Sequence, residues 1–309
     1  MTSNEIPATE LQTLRDWVRW AASYFNRNRL FYGHGTDNAL DEALELVLAT
    51  LHLSHDLPES FLDARTTREE DSLLAANIQR RVEQRVPLAY ITGRAWFAGL
   101  EFEVNENVLV PRSPIAELIL DGFHPWLSEK PVSAVLDLCC GSGCIGIACA
   151  HAFPDALVDL ADISPSALEV AGRNIEKHGL DDRVRAIRSD VFDGLDGERY
   201  DLIVSNPPYV STEEMRRLPQ EYAHEPNLGL EAGEDGMDVV RRILADAQGY
   251  LADDGILVVE VGASADLLMA RYPDVPFLWL DFEHGGDGVF LLTADQLVEY
   301  RDLFVDERP

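Results

Sequence analysis

Lysine is almost missing from this chain of 309 residues. Only Lys130 and Lys177 are lysines; the other basic residues are arginines. Against 55 Asp+Glu stand 25 Lys+Arg, a formal charge of −30. A protein whose main task is holding nucleic acid needs basic patches that neutralise phosphates, so this balance argues against that task. It suits a basic partner, or a surface kept solvated in a salt-rich cell. Cysteine is scarce and clustered: Cys139, Cys140, Cys144 and Cys149 lie within one short stretch. A disulfide-stapled secreted chain spreads its cysteines, and a zinc site shows Cys-x-x-Cys spacing. Neither pattern is present, so the four are expected to be small packing residues at a crowded turn, with no metal. No apolar run reaches the roughly eighteen residues of a membrane span, and Met1–Glu10 lacks the basic start and apolar middle of a secretory signal. A cytoplasmic location is expected. Apolar residues nevertheless make up 46% of the chain, enough for a substantial core in one large domain or two ordinary ones.

The first part of the chain reads as helical. Leu14, Val18, Ala21 and Ala22 recur on one side of Leu11–Tyr24. Asp37 can cap a second helix reaching Leu51, and Thr67 a third reaching about Arg85, ended by Pro87. From Tyr90 to Val110 apolar residues alternate between glycine turns, the pattern of a β-hairpin. Ser113-Pro114 starts a further helix ending near Gly122. The polar stretch Leu127–Val132 marks a boundary. The expected domains are 1–88, helical and substrate-recognising; 89–130, hairpin and linker helix; and 131–309. In the last, strands are expected at Ala134–Leu138, Leu157–Asp162, Val184–Ser189, Leu202–Ser205, Ile256–Val261, Phe277–Phe282 and Gly288–Thr293. Helices are expected at Cys144–Ala152, Ser166–His178, Met237–Tyr250 and Ser264–Tyr272. Strands separated by helices imply an α/β fold with a doubly wound, mostly parallel sheet. Its ligands belong beyond the carboxyl ends of the strands.

The first strand of this sheet runs into Gly141-Ser142-Gly143-Cys144-Ile145-Gly146. Glycines allow a tight turn and bring N–H groups close to a ligand, but this spacing also fits a nicotinamide dinucleotide site. Asp137 separates the two. A carboxylate there repels a pyrophosphate and favours the positive amino and sulfonium groups of S-adenosylmethionine. Asp162, ending the second strand, can accept from both ribose hydroxyls. Asp190, after the third, can accept from an adenine amine, with Val191 and Phe192 against the ring. Cys139 and Ile163 beside these carboxylates complete the expected cofactor-binding set.

The fourth strand runs into Asn206-Pro207-Pro208-Tyr209. Two prolines stiffen the loop and remove two N–H donors, leaving carbonyls free to accept. The Asn206 amide oxygen and the aromatic face of Tyr209 then suit a planar group carrying an NH2. These four residues form the expected substrate site, with Asn206, Pro207 and Tyr209 in catalytic roles and Asn206 also bordering the cofactor.

With these motifs the chain resembles the class I S-adenosylmethionine-dependent methyltransferases carrying the Asn-Pro-Pro-Tyr motif, which methylate nitrogen in a planar system. Leu88–Gly93, Phe97–Phe102 and Val108–Arg112 look like the hairpin of protein-(glutamine-N5) methyltransferases. Tyr32–Asn38 and Pro111-Arg112-Ser113-Pro114-Ile115 resemble the branch acting on large ribosomal subunit protein L-three, a basic substrate. The sibling acting on release factors usually reads Pro-Arg-Pro-Glu-Thr-Glu at the second place. Cys140 departs from the branch, where Thr is expected. The resemblance implies a Rossmann-like fold, S-adenosylmethionine as cofactor, and methyl transfer to a glutamine amide nitrogen.

That nitrogen is a poor nucleophile, and the sequence shows no base strong enough to deprotonate it. Positioning is the simpler expectation. The Asn206 oxygen and the Pro207 carbonyl accept the two amide hydrogens and aim the nitrogen, while Tyr209 packs on the amide plane. Other candidates fall away. His52 and His55 lack a third ligand, and Gly33-His34-Gly35 reads as a turn. Ser142 lacks the glycine spacing of a nucleophile elbow. A DNA adenine methyltransferase shares Asn-Pro-Pro-Tyr but needs a basic reading surface, so no direct DNA binding is expected. A nicotinamide oxidoreductase shares only the glycine turn, and a non-catalytic assembly factor has no need of the intact motifs. Residues 222–236 read either as a lid or as a solvated connection. The sequence is silent on oligomeric state.

Overall fold

The computed structural model describes residues 6–8, 10–127, 131–195 and 197–305. Met1–Glu5, Thr9 and Ser128–Lys130, which bear on the expected N-terminus and domain boundary, lie outside the described residues. By compactness the chain divides into two units, Met1–Arg94 with Pro219–His224, and Ala95–Leu218 with Glu225–Pro309.

The first unit is helical: α1 (Leu14–Arg27), α2 (Ala39–Thr50), α3 (Arg68–Glu83) and α4 (Leu88–Thr92). Thr13 and Thr67 each close a capping box, with Asp16 and Glu70. The cap of α2 is Asn38 rather than Asp37; the Asn38 side-chain oxygen accepts from the N–H groups of Leu40 and Asp41. Trp17, Phe25, Leu46, Leu74 and Ile78 are fully buried together. Each such side chain contributes roughly 1.5–3 kcal/mol relative to exposure. Inside this core lies Arg81, only 1% exposed, ion-paired with Glu42 and with Glu221. Arg85 and the Phe31 N–H also reach the Glu221 carboxylate. A segment far along the chain is thereby built into the helical unit. Nothing in the local pattern around Glu221 signals this, because the partners lie 136 to 190 positions away.

A short hairpin follows, β1 (Arg94–Phe97) and β2 (Leu100–Glu103), turned at Ala98 and Gly99, both with positive φ; all of it but Arg94 belongs to the second unit. The expected hairpin over Tyr90–Val110 is thus confined to its middle. Leu88–Thr92 forms a helical turn closed by Gly93 at φ 73°. Next come α5 (Ile115–Leu120), β3 (Ala134–Leu138), α6 (Cys144–Ala152), β4 (Leu157–Asp162), α7 (Pro165–His178), β5 (Val184–Arg188), β6 (Tyr200–Ser205), α8 (Thr212–Met215), α9 (Asp238–Asp246), β7 (Leu251–Glu260), α10 (Ala265–Arg271), β8 (Leu278–Trp279), β9 (Val289–Thr293), α11 (Ala294–Glu299) and α12 (Arg301–Val305). Strands β3 to β9 form a seven-stranded sheet in the order β5-β4-β3-β6-β7-β9-β8. It is parallel except for β9, which runs antiparallel to both β7 and β8. Chain order reverses at β3 and β6, so the loops leaving these neighbours flank the switch point where such sheets bind ligands. Strand β8 is shorter than the expected Phe277–Phe282, because beyond it the N–H groups of Glu283 and His284 turn to the Glu117 carboxylate.

Alternate residues face two separate cores. Val135, Leu202, Val204, Ile256 and Val258 face one, and Leu136, Leu138, Ile203, Leu257 and Val259 the other. Helix α6 is buried from Cys144 to Ala150. Among the described residues, no helix is long and apolar enough to cross a membrane.

Candidate active site

The glycine turn is shaped by backbone that ordinary side chains adopt only with strain. Cys139 has φ 59°, Gly141 53° and Gly143 78°. Cys139, expected as a cofactor contact, pays conformational strain where glycine costs nothing. A Cβ at Gly146 would lie 2.9 Å from the Asp137 Cβ and collide with Leu160. Helix α6 can therefore sit on β3 and β4 only with glycine there. Asp137 is completely buried beneath this contact, and its Oδ2 accepts the Gly146 N–H at 2.8 Å. Its Oδ1 has no partner among the described residues. Burial pushes the Asp137 carboxyl up to about 8. The four cysteine thiols are likewise raised by burial, that of Cys144 to about 12. Cys140, Cys144 and Cys149 are buried and Cys139 is half-buried, positions that suit packing at a crowded turn.

Asp162 ends β4 and receives two N–H donors, Gly141 at 2.9 Å and Ser164 at 2.8 Å. It locks the glycine turn against the next strand while the apolar side chain of Ile163 stays exposed. Asp190 is held by Arg242, whose Nη1 donates at 2.7 Å, a partner that sequence reasoning missed. Val191 has φ 54° and is buried. Phe192 does not offer a ring face to a ligand: it is buried in the core and stacked on Tyr250 at 4.4 Å.

Leu138 and Ser205 are register partners in the sheet, and the Ser205 hydroxyl donates to the Leu138 carbonyl at 2.8 Å. The glycine turn and the Asn206–Tyr209 loop therefore leave adjacent strands at the same level. Asn206 is partly exposed. Pro207 is buried and Pro208 half-buried. Tyr209 is fixed on several sides. Its hydroxyl donates to Glu260 Oε1 at 2.9 Å, and its carbonyl accepts from the Ser264 hydroxyl at 3.1 Å. A Cβ at Gly262 would come within 2.7 Å of its ring. Glu260 is buried and also accepts from the Ser113 hydroxyl at 2.5 Å. Burial raises its pKa, while Ser113, Tyr209 and Arg112 act in the opposite direction.

Glu260 and Ser113 were missed as site residues. The available signal was position: Glu260 lies at the carboxyl end of a parallel strand, on the face of Ile256 and Val258. Beyond the loop, Arg112 pairs with both oxygens of the fully buried Glu225, at 2.5 and 2.7 Å. Val210 pairs through its backbone with Leu230 and Ala232. Leu230, Ala232 and Met237 are buried. Within residues 222–236, Glu225, Leu230, Ala232 and Gly236 are buried while Ala223, Asn227, Leu228, Glu231 and Glu234 are exposed, so the segment is anchored at points along its length.

A doubly wound sheet with this glycine turn, a carboxylate ending the next strand and an Asn-Pro-Pro-Tyr loop at the switch point defines a class I methyltransferase. The methyltransferase small domain family matches residues 122–223. The ribosomal protein uL3 glutamine methyltransferase of Francisella tularensis is 50% identical over 295 residues, covering 95% of this chain and 94% of that protein. The protein of the same name from Neisseria meningitidis is 50% identical over 293 residues, covering 94% and 96%. Among solved structures, the hMettl16 catalytic domain in complex with a MAT2A 3'UTR hairpin aligns with TM-score 0.49 at 16% identity, over 74% of this chain and 81% of that one. That likeness is too distant to carry an argument. The chain belongs to the ribosomal protein uL3 glutamine methyltransferase family.

Proposed function

We propose that the chain transfers a methyl group from S-adenosylmethionine to the side-chain amide nitrogen of a glutamine in ribosomal protein uL3. The observation that carries this reading is the partly exposed Asn206, which opens the Asn-Pro-Pro-Tyr loop beside the glycine turn of the neighbouring strand. The residues fit the cofactor. The orphaned, buried Oδ1 of Asp137 gives a hydrogen-bond donor of the cofactor a reason to bind near the turn. Cys139, Gly141 and Gly143 shape the backbone cradle. Asp162 retains lone pairs for ribose hydroxyls, and Ile163, Asp190 and Val191 would border the adenine. When bound, S-adenosylmethionine supplies an electrophilic methyl group.

The chain's own part is to orient the acceptor. The Asn206 oxygen and the Pro207 carbonyl take the two amide hydrogens, Pro208 keeps the loop stiff, and Tyr209 flanks the amide plane. This pre-set polarity favours the positive charge that develops on nitrogen without reorganisation during reaction. The helical unit recognises the substrate, and the charge of −30 suits a basic ribosomal protein better than DNA. A cytoplasmic enzyme is consistent with this substrate. The test is incubation with labelled methyl donor and, separately, isolated uL3 and a peptide-chain release factor. Label is expected in uL3; preferential labelling of the release factor overturns the substrate assignment.

A further inference from the structure

Strand β7 is apolar along the face carrying Ile256 and Val258, then switches to a carboxylate at Glu260. A buried carboxylate costs free energy that apolar packing avoids, unless hydrogen bonds satisfy it. Here both oxygens are satisfied by different segments, Oε2 by Ser113 and Oε1 by Tyr209. Ser113 has its own local role, accepting the Ile115 N–H at the start of α5. It therefore enters the Glu260 contact from a fixed position. Arg112, the neighbouring cation, pairs with Glu225 and also acts on the Glu260 carboxylate through its charge. Among these contacts the Tyr209 phenol bond is the one that reaches the Asn206–Tyr209 loop.

We propose that Glu260 is a positioning residue for methyl transfer: seated by Ser113, its carboxylate holds the Tyr209 phenol and so fixes the face that Tyr209 turns to the substrate amide. The inference rests on the glutamine-amide reading above. It differs from a packing role because it acts through one hydroxyl. A fold support at Glu260 serves the protein whether or not residue 209 carries a hydroxyl; a positioning residue acting through Tyr209 does not.

The experiment is a double-mutant cycle on the full chain, reading kcat for uL3 methylation and S-adenosylmethionine affinity by calorimetry. Glu260→Gln exchanges a charge-assisted bond for a neutral one of about half the strength, and is expected to lower kcat about tenfold with cofactor affinity within about twofold of wild type. Tyr209→Phe is expected to lower kcat at least as much. The double variant is expected to match Tyr209→Phe, because the hydroxyl through which Glu260 acts is already gone. Multiplicative losses, a loss confined to cofactor affinity, or a Glu260→Gln enzyme with wild-type kcat each overturn the proposal. Ser113→Ala provides the cycle if Glu260→Gln does not fold. A loss of a few fold is expected in the wild-type background and none beside Tyr209→Phe; a loss that persists there overturns it. Failure of the wild-type chain to methylate uL3 counts instead against the underlying function.

Discussion

The two halves of the proposed active site are held by different means. On the cofactor side, residues close in sequence do the work: Cys139, Gly141 and Gly143 bend the chain, Gly146 lets α6 settle on β3, and Asp137 caps the contact from below. On the substrate side, the stiffness of two prolines accounts for only part of the geometry. The rest comes from Glu260, Ser264 and Gly262, more than fifty positions away, and through Glu260 from Ser113. A turn that grips an invariant cofactor can be specified locally. A loop that must present one face to a protein side chain is specified by the tertiary structure around it.

Removing the polar partner of the reacting group should separate the two halves most sharply. Asn206→Ala is expected to lower kcat about 100-fold or more, with S-adenosylmethionine affinity changed by only a few fold; steady-state kinetics paired with calorimetry checks this. A comparable loss of cofactor affinity would merge the halves.

Gly146→Ala probes the cofactor side. The added methyl meets Leu160 and Asp137, so a loss of roughly 1–3 kcal/mol is expected in urea unfolding. An unchanged midpoint would show that α6 is not seated by that glycine.

Asp137 gives a pH-dependent effect. Its folded pKa, about 8, lies above its ordinary value of 3.8. The folded chain therefore binds this proton more tightly than the unfolded chain. The resulting stability is fully present below about pH 4 and is lost as pH rises through about 8. The difference in Tm between wild type and Asp137→Asn, measured without ligand, should accordingly move against wild type from pH 5 to about 8. A constant difference would contradict it.

Charge steering is expected to be the mildest effect. If the acidic surface draws in a basic substrate, kcat/KM for uL3 should fall as ionic strength rises from about 0.05 to 0.5 M, as the Debye length shrinks below about 5 Å. A flat or rising rate would assign the charge to salt adaptation.

The same contrast explains what was legible in the sequence. Strands β3 and β4 and helix α6 start and end where alternation and glycine placement put them, because those signals are local. Thr67 was readable as a cap because its partner Glu70 is three residues on. The hairpin was over-extended because Leu88–Thr92, apolar enough for a strand, is drawn into helix between Pro87 and the left-handed Gly93. Glu260, Ser113, the Arg112–Glu225 pair and the burial of Arg81 were not legible. Each depends on a partner far along the chain, and a carboxylate in so acidic a sequence does not stand out.

The account is tested most directly by the product. Isolated uL3 incubated with the enzyme and S-adenosylmethionine should gain one methyl group by intact mass, and fragmentation should place it on the amide nitrogen of a single glutamine side chain. No added mass, or a methyl on a lysine, an arginine or the chain terminus, would contradict it.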